Sequence, residues 1–152
     1  MRLEKSGAAG GCVQLVYISR AVRSENDSSL SDILGVARGY NAERGITGVL
    51  CFAYGRYLQV LEGPSREVNA LYLRIGRDKR HEGVRLMKFT EVQTRCFGLW
   101  SMRMIRFDEQ SGGEARALVR FNGFGGFEPE LWSGEECLVF LRDMARVLPE
   151  RG

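Results

Sequence analysis

Few residues of this chain stand where they could do chemistry. Gln59 sits in an apolar run beside Leu58, Val60 and Leu61. A buried glutamine must be hydrogen-bonded, because an unmet amide costs roughly 1–3 kcal/mol. One end of the amide donates and the other accepts, so it can pair with a neighbouring backbone or bridge a phenol and a ligand. Tyr17 could be that phenol, although a lone strand tyrosine is more often an ordinary sheet aromatic. Asn41 offers a donor and an acceptor where asparagine also commonly ends helices. Arg74, Asp78 and His81 fall at i, i+4 and i+7, with Arg80 beside them. That stripe suits an ion pair on a solvated helix face, or a guanidinium and an imidazole reaching a polar ring edge or a phosphate.

The elements that must position these residues follow from apolar periodicity. Val13–Ile18 reads as a first strand, with Val13, Leu15 and Tyr17 on one face and Gln14, Val16 and Ile18 on the other. Ser24–Ser29 reads as a loop. Leu30, Ile33, Leu34, Ala37 and Asn41 form a helical stripe that Ser28 or Ser29 could cap and that should fade before Gly45. Ile46–Ala53 and Arg56–Glu62 read as strands joined by a tight Tyr54-Gly55 turn. Ser65 is the expected cap of a second helix whose buried stripe is Val68, Leu71, Tyr72 and Ile75, with Arg74, Asp78 and His81 on another face. Leu86–Gln93 and Leu99–Phe107 read as two more strands, the last with Trp100, Met102 and Met104 on one face. The order β-α-β-β-α-β-β is the ferredoxin-like α+β pattern plus one strand. Right-handed crossovers then place strand 3 beside strand 1, both helices on one face, and Tyr17 and Gln59 on neighbouring strands. Register, and with it side-chain orientation, stays open.

The expected organisation is a mobile tail over 1–11, one domain over 12–107 and a helical cap over 108–152. In the cap, NGFGG (122–126) reads as a linker. Ser133 and Glu136 make a capping box, ahead of an apolar face of Cys137, Leu141, Met144 and Leu148.

Composition narrows the class of protein. The 22 Lys and Arg alternate with 19 acids for a net charge of +3, so nucleic-acid binding is not indicated. No run approaches a membrane span, and the N-terminus lacks a signal-peptide stretch. Four cysteines, at 12, 51, 96 and 137, form no C-x-x-C, and the single histidine leaves no zinc pattern. Cys12, Cys51 and Cys137 lie in apolar runs and read as core residues in a reducing cytosol. G-x-S-x-G, a P-loop and the dinucleotide glycine fingerprint are missing, and Gly112-Gly113 reads as loop. A soluble cytoplasmic protein without a familiar catalytic constellation is the expectation.

Five segments together resemble one family. LVYISRA (15–21), NAERGITGVL (41–50), YLQVLEG (57–63), YLRIGRDKRH (72–81) and LWSM (99–102) are similar, in order and spacing, to the BLUF family of blue-light sensors. The resemblance runs from about Val13 to Phe107. It implies a flavin, usually FAD with FMN as an alternative, held between the two helices over the sheet. It implies Tyr17 as electron donor, Gln59 as the bridge to the ring, and Asn41 at the ring's polar edge. Ile33, Ala37 and Ile75 would sandwich the ring. Arg74, Asp78, Arg80 and His81 would lie near the ring and its phosphate-bearing chain, with Ser19, Trp100 and Met102 around the photoactive pocket. It further implies light-driven electron and proton transfer from Tyr17, recombination, and a changed rotamer or tautomer of Gln59. The chain looks like a short stand-alone member that signals to a partner protein or through homo-oligomer contacts. One departure is Tyr40, where several members carry a small polar residue or histidine. It bears on packing at one flavin edge.

Three rival readings fit less well. An acylphosphatase-like hydrolase would need glycines after strand 1, where the chain reads RAVRSEND. An RNA-binding ferredoxin-like module would need the RNP pattern around Tyr17 and Tyr57. A flavin-dependent oxidoreductase would need a nicotinamide or substrate site.

Overall fold

The computed structural model describes residues 11–22, 27–107 and 126–147, without the side chains of 27–34 and 107. Residues 1–10 of the tail, most of the NGFGG linker, and residues 108–121 and 148–152 of the cap, Leu148 among them, lie outside the described residues.

The chain runs β1 (Cys12–Ala21), α1 (Asp27–Arg44), β2 (Thr47–Ala53), β3 (Arg56–Pro64), α2 (Ser65–Gly76), β4 (His81–Val92), β5 (Arg103–Phe107), a 3-10 turn (Pro129–Leu131) and α3 (Gly134–Val147). The five strands form one sheet in the order β4-β1-β3-β2-β5. β5 runs parallel to β2, while the other neighbours are antiparallel. This is the expected ferredoxin-like α+β sheet with one added strand.

Both faces of the sheet are covered at β1, where residues 13–19 are all buried. Val13, Leu15 and Tyr17 join Leu61, Val68 and Met102 in the core under α1 and α2. Val16 and Ile18 join Cys51, Phe140, Leu141 and Met144 in the core under α3. The alternation expected for β1 therefore holds, and α3 covers the face that the first two helices leave open. Ser133 and Glu136 form the expected capping box, with Glu136 N donating to Ser133 Oγ and Ser133 N to Glu136 Oε1. Burial beside Glu136 pushes the Cys137 thiol up to about 12. Cys51 is buried as expected, whereas Cys12, at the sheet end, is only half-buried.

The Tyr54-Gly55 turn is the expected hairpin: both residues have positive φ, 52° and 77°, the pairing of a two-residue type I′ turn. Other expectations are corrected. α1 begins at Asp27, so Ser28 and Ser29 lie inside it. Pro64, not Ser65, stands at the cap of α2, and no side chain caps that end. Ser65 is the first helical residue, where the fixed φ of the preceding proline already sets the chain's entry. β4 starts five residues before Leu86. Gly83, at φ 63°, makes a bulge where the register against β1 slips between Ile18 and Arg20. That bulge breaks the alternation that would have revealed the strand.

β5 starts at Arg103 rather than Leu99. The preceding carbonyls are held individually instead. Trp100 O accepts from Gly48 N, Ser101 O from Asn41 Nδ2 and Met102 O from Arg38 Nε. Strand alternation therefore does not reach Trp100. It packs against the core under α3, whereas Met102 and Met104 belong to the core under α1 and α2.

Candidate functional site

Antiparallel pairing of β1 with β3 sets Tyr17 directly opposite Gln59. Both side chains point to the α1–α2 side. The Tyr17 hydroxyl donates to Gln59 Oε1 at 2.5 Å, and Gln59 Nε2 donates to Met102 Sδ at 3.2 Å. Both ends of the buried amide are thus answered by side chains of the same core. Burial raises the Tyr17 phenol well above its ordinary range, and the neighbouring Tyr72 and Asp78 add to it. Tyr17 is a neutral donor at any ordinary pH.

These two residues form one wall of a cavity of about 310 Å³ between α1, α2 and the sheet. Ala37, Leu50, Leu71 and Ile75 give it apolar sides, while Asn41, Arg74, Asp78, Arg80 and His81 supply polar groups. The volume lies within the range of pockets that take small ligands and cofactors. Asn41 is 1% exposed, and its Oδ1 has no hydrogen-bond partner among the described residues. A buried carbonyl left this way calls for a donor from a ligand. The imide N–H at a flavin ring's polar edge is such a donor, so the residues fit a flavin.

The helix-2 stripe is only partly a helix-2 stripe. α2 ends at Gly76, and Asp78 Oδ1 accepts from Arg80 N, a local turn that competes with further helix. The ion pair joins Asp78 to Arg80 rather than to Arg74. That contact holds the Asp78 carboxyl down at about 2. His81 opens β4, opposite Ala21 of β1. Its Nε2 meets Ile75 O at 2.7 Å, and a carbonyl can only accept. In the neutral ring Nε2 therefore carries the proton, and Nδ1 accepts from Ser19 Oγ at 2.7 Å.

Of the other expected residues, Met102 reaches the site through Gln59. Trp100 lies on the opposite side of the sheet, and the side chain of Ile33 lies outside the described residues. Leu50, Tyr57 and Val36 also line the site, beyond the residues expected there from the sequence. Leu50 pairs with Gln59 across β2 and β3, and Tyr57 precedes Gln59 by two on the same strand face, so period-2 alternation could have found both. Val36, beside Ala37, is 70% exposed at the rim. Tyr40, the departure from the family pattern, lies between two guanidinium groups. Arg44 Cζ is 3.7 Å and Arg74 Cζ 4.7 Å from its ring centroid. This cation–π contact ties α1 to α2 at the cavity rim.

The fold and the pocket define a class: a ferredoxin-like domain with a ligand-sized cavity between its helices and sheet, and a phenol–amide pair in the cavity wall. Residues 12–103 match the family described as BLUF, sensors of blue-light using FAD. The chain is 36% identical over 93 residues to the photoactivated adenylate cyclase subunit alpha of Euglena gracilis, covering 61% of this chain and 9% of that protein. The subunit beta of the same organism is 41% identical over 83 residues, covering 55% of this chain and 10% of that protein. This chain thus spans about a tenth of the length of the curated relatives it matches. The structure of BlsA in its photo-activated state superposes with a TM-score of 0.79 at 26% identity, over 93% of this chain and 99% of that one. The BLUF protein BlrB in its dark state gives 0.72 at 25% identity, over 90% and 96%. The chain belongs to the BLUF family, and its domain is a blue-light sensor that uses FAD. The hydrolase and RNA-binding readings give way to this one.

Proposed function

We propose that Tyr17 and Gln59 are the photoactive pair of this sensor and that Asn41 anchors the flavin's polar edge. The observation that carries this is the unbroken chain from Tyr17 Oη through the Gln59 amide to Met102 Sδ, set in the wall of the cavity. When bound, the flavin supplies a chromophore that absorbs blue light and becomes a strong oxidant. Tyr17, sealed from water and protonated, keeps its mobile proton on the bond to Gln59. It is placed to release that proton along the bond and to recover it, so no net turnover results.

Gln59 retains the change. In the orientation seen here its oxygen faces a donor and its nitrogen an acceptor. Rotation of the amide would set Oε1 against a thioether, which has no proton to give. The rotated form therefore lies higher in energy, and its relaxation resets the sensor. Ala37 and Ile75 flank the ring, while Arg74, Asp78, Arg80 and His81 lie towards its edge and phosphate-bearing chain. Ser19 orients His81.

Residues 12–107 act as the flavin-binding unit and 108–152 as its cap. The output passes to a partner protein, as the cyclase relatives suggest by their names. Edge strand β4 leaves Leu86 and Phe89 exposed, which supports self-association as part of that output. All four cysteines are free, in keeping with the cytosol. Among the described residues no helix is long and apolar enough to cross a membrane.

The purified protein is expected to be yellow and to show a small, reversible red shift under blue light. Tyr17→Phe should keep the flavin and lose the shift, and Gln59→Ala should do the same. A shift that persists in Tyr17→Phe sinks the assignment.

A further inference from the structure

The segment after the Gln59 contact crosses from one side of the sheet to the other within two residues. Met102 belongs to the core around the cavity, and its sulfur accepts from Gln59. Arg103 opens β5 and is 3% exposed. Successive strand side chains face opposite ways. Its guanidinium accordingly lies on the α3 side, where Nη1 donates to Ala145 O at 2.7 Å. Its Cζ also lies 4.9 Å from the ring centroid of Trp100, which packs in the same core.

The place of that bond on α3 matters. The helical partner of Ala145 O would be the N–H of residue 149, which is proline and has none, so that carbonyl is left without its i+4 bond. A cation there answers an orphan acceptor and the negative end of the helix dipole together. Burial strengthens both effects, because little water competes for the carbonyl.

We propose that Arg103 is the positioning residue that couples the cavity to the last turn of α3, holding that turn in a state that depends on the Gln59–Met102 contact. This rests on the reading of Gln59 as the switch. When the amide no longer donates to Met102 Sδ, the methionine is free to shift. A shift there moves the backbone that carries Arg103. The guanidinium cannot follow freely, since Trp100 and the α3 carbonyl hold it on the far side. The strain falls on the Arg103–Ala145 bond, and the last turn of α3 loosens.

The test is amide hydrogen exchange on the flavin-loaded protein, in the dark and under blue light, with absorbance read on the same samples. In the wild type, light should speed exchange at residues 141–147 by about tenfold, the scale set by loss of one charge-assisted hydrogen bond. Arg103→Met should keep the full red shift yet exchange quickly at 141–147 in dark and light alike. Arg103→Lys, which retains a cation but not the guanidinium over Trp100, should recover part of the difference between dark and light. A wild-type red shift with unchanged exchange at 141–147 overturns this proposal alone. So does an Arg103→Met or Arg103→Lys protein that keeps the full light response there. Absence of any red shift in the flavin-loaded wild type overturns the switch reading, and this proposal with it.

Discussion

Tyr17 and Asp78 are two titratable groups of one site whose environments drive them in opposite directions. Tyr17 is sealed in the core, and burial favours its neutral form. Asp78 is at the rim, and the hydrogen bond from Arg80 favours its charged form, more than offsetting partial burial. Asp78 thus stays ionised near a phenol that stays protonated, and its field adds to the retention of the Tyr17 proton. The turn over 78–80 depends on that charge. Because the folded value, about 2, lies below the roughly 3.9 of a free aspartate, the stabilisation is present above about pH 4. It should be lost as pH falls from about 4 towards 2. A carbon-13 titration of the Asp78 carboxyl checks this, with a midpoint near 2 expected in the wild type and an upward move in Arg80→Ala. A midpoint near 4 in the wild type would show that the clamp does not hold in solution.

At the scale of elements, the site exists because Gly48 lets three segments meet. A Cβ built there would lie 2.0 Å from Val60 O and 3.3 Å from Met102 Cε. The first contact is with backbone, which cannot step aside without opening β2 from β3. Gly48→Ala is therefore expected to cost about 3 kcal/mol and to displace Met102 from Gln59. Gly39, on the exposed side of α1, has nothing within 4 Å of such a Cβ. Gly39→Ala should stabilise by about 0.5–1 kcal/mol, the usual penalty of a helical glycine. Urea unfolding of the two variants reads the contrast, and equal midpoints would refute it. The same elements show what was legible in the sequence. Period-2 alternation marks both faces of β1, and chain order alone puts Tyr17 and Gln59 on neighbouring strands. The pairing register was not legible, because β1 is buried on both faces and no polar side disfavours a one-residue slip. Helical spacing continues through residues 76–81 and by itself puts His81 on a helix, while the Asp78–Arg80 turn ends the helix by a local hydrogen bond. Trp100 was misplaced because side chains from α1 and a β2 amide take the carbonyls of 100–102, a tertiary effect without local signature.

Taken whole, the molecule is a sheet sealed unequally on its two faces. Phe127, Trp132 and Phe140 pack ring against ring, with centroids 5.1–5.7 Å apart, in the core under α3. On the other face α1 and α2 stand apart around a cavity of about 310 Å³, with Asn41 Oδ1 unanswered. The α1–α2 face therefore draws part of its closure from the flavin, and the α3 face does not. A ligand that binds only the folded state adds about 2.7 kcal/mol at a hundredfold excess over its Kd. For a chain of this length that corresponds to about 5–10 °C in Tm. Flavin-free protein should thus melt about 5–10 °C below the loaded form. The loss should be local before it is global: amide exchange should rise first in residues 35–44 of α1, which carry Ala37 and Asn41, and least in residues 137–144 of α3. Coincident melting of the two forms would refute this division of labour, and so would a loss of protection centred on α3. Either result would mean that the cavity face closes by packing alone, with the unanswered Asn41 carbonyl tolerated at no measurable cost.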